Sequence, residues 1–233
     1  MVAAEWPILV TLLVPAACIW AFVALADEVI EGETSTIDTA ILLALRNPAD
    51  LADPLGPKWL EEMMRDFTAL GGVGVLTLII IGTAVYLLLI RKRRAALAMT
   101  VAVAGGMLAS SLLKLGFSRP RPELVPHEAF VYTTSFPSGH SMMSAVVYLT
   151  LAVMVARVQT DWHARVFVLA AAVFVCLLVG VSRVYLGVHW PTDVLAGWAL
   201  GAAWAIGCWA VVLVLQRRGE IEAPGETDPA PVN

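Results

Sequence analysis

The sequence predicts an all-α, polytopic membrane protein with six spanning helices, and three observations carry that prediction. First, hydrophobic residues make up 59% of the chain, charged residues 15%, and the mean hydropathy is +0.80. A soluble domain is nearer half apolar and a quarter charged. Second, the apolar residues fall in six long runs, 7–26, 70–90, 95–117, 141–158, 166–186 and 194–216. Each is close to the ~20 residues that cross the hydrocarbon core as a helix, and a helix is required because lipid offers backbone groups no partners. Third, the basic residues cluster on one side of that arrangement. Arg91, Lys92, Arg93 and Arg94 lie between spans two and three, Arg157 and Arg165 flank the loop between four and five, and Arg217 and Arg218 follow span six. Clustered Lys and Arg mark the cytoplasmic side, so both termini are expected in the cytoplasm.

Taken in order, span one contains Ala24-Leu25-Ala26, which has the form of a signal-peptidase site. Its N-terminal flank lacks Lys or Arg and carries Glu5, a poor signal-peptide start, so the run is expected to stay as a span. Residues 27–69 then lie outside and are markedly acidic, with Asp27, Glu28, Glu31 and Glu33 at their start. Within them Ile37, Ala40, Ile41, Ala44 and Leu45 follow a helical period, as do Leu60, Met63, Met64 and Phe67. These predict two short amphipathic helices at the interface, separated by a stretch of turn composition over 47–57. Spans two to six follow, with outer connections at 118–136 and 187–193. The acidic, Pro-rich tail at 219–233 is expected to be disordered. One membrane domain, 1–218 with its core at 70–216, accounts for the rest.

The net charge of −4 gives no reason to expect a nucleic-acid partner. Cys18, Cys176 and Cys208 lie in apolar runs without metal-ligand spacing and are expected to be packing residues.

Charged residues at span ends are costly and need a reason. Lys114 and Arg183 each admit a bland one, snorkelling to the interface, but their neighbours also point to anion chemistry. Three segments meet on the outer face of the predicted topology: Lys114 to Pro122, Pro137-Ser138-Gly139-His140, and Ser182-Arg183 onward to His189 and Asp193. Lys114, Arg121 and Arg183 supply cations for a multiply charged anion, and an arginine fork suits phosphate oxygens. Ser138 and Gly139 stand at a helix start, where free N–H groups and the helix dipole favour an anion. His140 and His189 can divide nucleophilic and acid–base work near neutral pH. Asp193 can hold one imidazole in a single tautomer. Pro191 suits the first position of the last helix, with Asp193 in its first turn.

The pattern Lys-x6-Arg-Pro, Pro-Ser-Gly-His, Ser-Arg-x5-His-x3-Asp resembles that of the type 2 phosphatidic acid phosphatase superfamily. It is matched at Lys114, Arg121, Pro122, Pro137, Ser138, Gly139, His140, Ser182, Arg183, His189 and Asp193, and the resemblance covers about 70–216. It implies that His189 attacks phosphorus, Asp193 orients His189, and His140 protonates the leaving oxygen and then activates water. It implies that Lys114, Arg121, Ser138, Gly139 and Arg183 hold the phosphoryl oxygens, with no metal and no cofactor. The expected partners are the bilayer and a phospholipid or isoprenoid (di)phosphate substrate, in a bacterial inner membrane with the site facing the periplasm. Undecaprenyl diphosphate is favoured because an outward site suits carrier-lipid recycling; phosphatidylglycerophosphate, phosphatidic acid and lipid A are alternatives. A vanadium haloperoxidase shares the pocket residues but is typically soluble. A non-catalytic lipid carrier on the same scaffold would not need His140, His189 and Asp193 together.

Other residues take plainer expectations. His127 is expected at the rim, and His163 on the cytoplasmic side. Arg119 stands equally as a substrate contact or an interfacial cation. Trp190 is expected as an interfacial aromatic. Gly197-x3-Gly201 suits close helix packing.

Overall fold

The computed structural model describes residues 6–123 and 134–219. Among these described residues eight helices occur in chain order: α1 (Trp6–Glu31), α2 (Ser35–Leu43), α3 (Lys58–Ala69), α4 (Val73–Leu89), α5 (Arg93–Leu115), α6 (Gly139–Val158), α7 (Trp162–Tyr185) and α8 (Pro191–Arg217). Five of these are long and apolar enough to span a membrane, and the count is six when α3 and α4, bent by 46° at their junction, are taken together as one span. The six apolar runs and both short helices of the outer segment are therefore present. His127 and most of the tail lie outside the described residues.

α6 is the central helix. Ser141, Met142, Ser144, Ala145, Val146 and Val147 bury one after another along it, which a helix shows only where neighbours cover more than one face. α8 lies closest to it because Gly197 and Gly201 have no side chains to hold it off. A Cβ on Gly197 would stand 2.7 Å from the Ser138 carbonyl oxygen, and one on Gly201 would stand 2.5 Å from that of Met142. Apolar contacts from Leu76 and Val103 join α4 and α5 to the same core. α1 packs against α8, where Phe22 meets Phe136 and Ala196. Trp204 Nε1 donates to the Ala102 carbonyl at 2.8 Å and Trp198 Nε1 to that of Cys176 at 3.0 Å, so each indole finds an acceptor within the apolar bundle.

The outer segment is more structured than its turn-like composition suggested. Arg46–Asn47 (β1) and Asp50–Pro54 (β2) pair antiparallel. Arg46 is 1% exposed, and its Nη2 donates to the Tyr185 carbonyl at the end of α7 at 2.5 Å. A cation there satisfies a helix-end carbonyl and complements the dipole. α2 leaves the apolar residues of its period exposed, as a helix at the interface should, and buries a polar residue on its other side. Ile37 and Ile41 are 59% and 42% exposed, while Asp38 and Leu42 are fully buried. Leu42 packs on Val184 and Val194, and Asp38 meets polar partners described below. The apolar face of α2 is thus free for lipid.

The consequence for function is directional. α5 and α7 end, and α6 and α8 begin, at one end of the bundle. Lys114, Arg183, Gly139 and Pro191 mark those four termini. Arg93, Arg157 and Arg217 mark the opposite termini of α5, α6 and α8. His163 sits beside Asp161 at the far end of α7 from Arg183, roughly 30 Å away at 1.5 Å per residue.

Candidate active site

The site is assembled from helix ends and the two connections that join them. Trp190 caps α8, Pro191 opens it, and Asp193 falls in its first turn. His189 stands one residue before the cap, yet its Nδ1 reaches Asp193 Oδ2 at 3.2 Å. Both are buried, at 1% and 0% exposure. The same oxygen accepts from the Trp190 backbone N–H at 2.9 Å and from the Ser135 hydroxyl. With Nδ1–H given to the carboxylate, Nε2 carries the lone pair, and Arg121 Nη1 lies 3.2 Å from it. Arg121 is fixed by donating to the Val188 carbonyl at 3.0 Å. Burial drives the His189 pKa down to about 4; the Asp193 hydrogen bond opposes this and Arg183 reinforces it. His189 is therefore neutral at physiological pH, as a nitrogen nucleophile must be. Burial likewise lowers the pKa of Arg121, with Asp193 opposing.

The start of α6 supplies the second wall. Ser138 caps the helix, accepting from the Ser141 N–H, and its own N–H donates to the Asp193 carbonyl at 2.9 Å. A helix leaves its first N–H groups without intrahelical partners, and Gly139 and His140 bear the ones that precede Ser141. Lys114 lies alongside: a Cβ on Gly139 would be in ordinary van der Waals contact with its Nζ, at 3.7 Å. Lys114 Nζ donates to the Thr134 carbonyl at 3.3 Å. Arg183 Nη1 donates to Thr68 Oγ1 at 3.1 Å. Its buried Nε has no protein partner among the described residues, in a fold where buried donors are normally paired. His140 lies within the electrostatic reach of Arg183, His189, Arg121 and Lys114. All eight candidate residues thus come to one end of the bundle. Among the described residues no group of three His, Cys, Asp or Glu side chains is placed to hold a metal ion.

Arg119 turns out to face inward to the carboxylates. Its Nη1 meets Asp193 Oδ1 at 2.6 Å and Thr192 Oγ1 at 2.8 Å; its Nη2 meets Asp38 Oδ2 at 2.5 Å and Thr34 Oγ1 at 3.2 Å. Trp190 lies over the guanidinium, 5.6 Å from carbon to ring centroid, and donates from Nε1 to the Pro120 carbonyl at 2.9 Å. Ser135, Asp38, Thr34, Thr192 and Thr68 are polar partners of the site that the sequence did not single out. Ser135 had a local signal, standing three residues before Ser138. Thr192 lies inside the motif, between His189 and Asp193; Asp38, Thr34 and Thr68 come from segments with no motif.

A multi-span protein with a buried His–Asp pair, a second histidine at a helix start and several cations around them defines a class of phosphate-handling membrane enzyme. The PAP2 superfamily model matches residues 95–217, and the chain belongs to that superfamily: it is a membrane lipid phosphatase. Phosphatidylglycerophosphatase B of Bacillus subtilis is 37% identical over 147 residues, 61% of this chain and 70% of that one. An undecaprenyl-diphosphatase of Sulfolobus acidocaldarius is 43% identical over 68 residues, 29% of each chain. Among solved structures, the transmembrane PAP2-type phosphatidylglycerolphosphate phosphatase from Bacillus subtilis superposes with a TM-score of 0.75 at 30% identity, covering 87% of this chain and 98% of that one.

Proposed function

We propose that the protein hydrolyses a lipid phosphate at the outer face of a bacterial inner membrane through a phosphohistidine on His189. The observation that carries this is the buried His189–Asp193 pair, with Nδ1 committed to the carboxylate and Nε2 directed at Arg121. In the first step His189 Nε2 attacks phosphorus and the bond from phosphorus to the lipid oxygen breaks. His140 gives that oxygen its proton. In the second, water attacks phosphorus, His140 takes the water's proton, the bond from phosphorus to Nε2 breaks with its electron pair returning to His189, and inorganic phosphate leaves. Lys114, Arg121, Arg183 and the N–H groups at the start of α6 hold the phosphoryl oxygens and offset the charge that builds in each transition state. The unpartnered Nε of Arg183 suits one of those oxygens. Cations in this number supply the charge stabilisation that a magnesium ion supplies in other phosphoryl transfers.

The outward orientation follows from the basic termini at the opposite end of the bundle. A lipid substrate suits the surroundings of the site. An apolar groove of about 1060 Å³ runs between α1, α5 and α8, lined by Ile30, Leu113 (the residue before Lys114 in sequence), Phe117, Met142, Leu200 and Trp204 among others. It follows α5 from Leu113 to Ala98, roughly 22 Å at 1.5 Å per residue, which suits an extended hydrocarbon chain. The similarity to phosphatidylglycerophosphatase B over the larger share of both chains favours phosphatidylglycerophosphate as the substrate. Undecaprenyl diphosphate is the second reading; the outward site and the shorter, higher-identity match favour it.

A phosphate-release panel in detergent tests the proposal, with phosphatidylglycerophosphate, phosphatidic acid and undecaprenyl diphosphate, wild type beside His189→Ala, and excess chelator in one arm. Turnover of at least one lipid, unchanged by chelator and reduced on the order of 10³-fold or more in the variant, is expected. A fully active His189→Ala, or strict dependence on added magnesium, contradicts it.

A further inference from the structure

We propose that Asp38, in the outer segment before the second span, is a positioning residue for the reaction: acting through Arg119, it sets the orientation and charge of Asp193. This rests on the reading of His189 and Asp193 given above. Three stretches far apart in sequence meet here: α2, the connection after α5, and the first turn of α8. Arg119 lies between two fully buried carboxylates, at 2.5 Å from Asp38 and 2.6 Å from Asp193. Its own side chain is only 13% exposed. Thr192, next to Asp193, gives Asp38 both its backbone N–H at 3.0 Å and its hydroxyl at 2.6 Å.

The geometry divides the oxygens of Asp193. Arg119 takes Oδ1, and Oδ2 is left to His189, Ser135 and the Trp190 N–H. The charge count gives Asp38 its part. Two carboxylates and one guanidinium leave a net charge of −1 behind His189. Without the Asp38 charge, Arg119 neutralises Asp193 alone, and the field that holds Nδ1–H and raises the nucleophilicity of Nε2 is weakened. Low surrounding dielectric and the absence of solvent screening make such a change effective at this range. Arg119 fits the role because one planar fork can serve both carboxylates.

Asp38 also caps the start of α8, so a purely structural role must be separated. Asp38→Asn does that: asparagine caps as well as aspartate does but carries no charge. The substrate is the lipid phosphate that wild type releases fastest in the panel above, and inorganic phosphate is the competitive inhibitor. Asp38→Asn is expected to lower kcat about tenfold to hundredfold, with KM and phosphate inhibition within about threefold of wild type, because Lys114, Arg121 and Arg183 are untouched. Asp38→Glu is expected to recover part of the loss. Adding Arg119→Gln to Asp38→Asn is expected to cost little more than the worse single change, since the two act as one unit. Wild-type kcat in Asp38→Asn overturns the inference, as does a loss confined to KM. If Asp38→Asn does not fold, Arg119→Lys carries the test, because a lysine keeps the charge but cannot bridge two carboxylates. It is expected to lose about tenfold in kcat, and unchanged kcat overturns the inference. Turnover by His189→Ala would instead sink the underlying phosphatase mechanism, whereas an inactive His189→Ala beside a fully active Asp38→Asn would remove only the role of Asp38.

Discussion

Asp193 has both carboxylate oxygens engaged, and the orientation of His189 depends on that. Ser135 is the partner most easily removed, since its hydroxyl reaches both Asp193 Oδ2 and, at 3.3 Å, His189 Nδ1. Ser135→Ala is expected to cost about tenfold in kcat, equal to ~1.4 kcal/mol and typical of one lost hydrogen bond to a charged group; unchanged turnover would mean that the remaining partners suffice. Burial of His189 also has a thermodynamic consequence. Its pKa is lowered from 6.5 to about 4 on folding. Above about pH 6.5 neither state binds the proton, so the full stability is present. As pH falls through 6.5 toward 4 the unfolded chain takes up a proton that the folded one refuses, and stability falls by up to roughly 3 kcal/mol. Thermal unfolding in detergent is expected to drop across that window, and less so in His189→Gln; equal drops in both would assign the acid sensitivity elsewhere. At this scale the sequence showed its motif residues clearly. Lys114, Arg121, Ser138, Gly139, His140, Arg183, His189 and Asp193 were each singled out from residue type, spacing and family resemblance, and they come together at one end of the bundle. The pairing of Arg119 with Asp38 was not singled out, because it is a contact 81 residues apart in sequence, which no local period records.

Among the elements, α8 does most to join packing to chemistry. Its first turn carries Asp193, and the next turn carries Gly197, which lies against the Ser138 carbonyl and the Met142 N–H at the start of α6. One helix contact therefore sets both the core and the distance between two walls of the site. Gly201→Leu is expected to force α8 off α6 and destabilise by about 1–3 kcal/mol or more, since overpacking falls on backbone atoms that cannot rotate away. A melting temperature within a degree of wild type would contradict that packing. Gly207, on the same helix, has open space where a Cβ would go, so Gly207→Ala serves as the neutral comparison. Periodicity revealed α2 but not the face it buries. The apolar period marks Ile37 and Ile41 for the interface, and both are exposed; the buried face is set by the ion pair of Asp38 with Arg119. The β1–β2 pairing was hidden for a similar reason. Its anchor, Arg46, stood in the sequence as one scattered cation, and only the fold brings the Tyr185 carbonyl to it.

The whole molecule is polarised, with the candidate site residues at one end of the bundle and basic clusters at the other. Apolar run length and composition made the spans legible, and the basic residues are the basis of the proposed orientation. The bend between α3 and α4 was less visible, because Leu70 to Gly72 are apolar or small and read as span. Tyr148 holds that junction by donating to the Leu70 carbonyl at 2.9 Å. The orientation has its own check: a cysteine placed at Ser118, in a chain whose Cys18, Cys176 and Cys208 are replaced by alanine, is expected to react with an impermeant thiol reagent added outside intact spheroplasts. Labelling only after the membrane is opened would invert the topology. The most direct measurement of the central claim is to trap the intermediate. Wild type is mixed with a lipid labelled at the reacting phosphorus, quenched in alkali within one turnover, and the label is located by peptide mapping. An alkali-stable, acid-labile phosphoryl group on His189, absent from His189→Ala, is the expected result. Label on another residue, or full single-turnover release by His189→Ala, would contradict it.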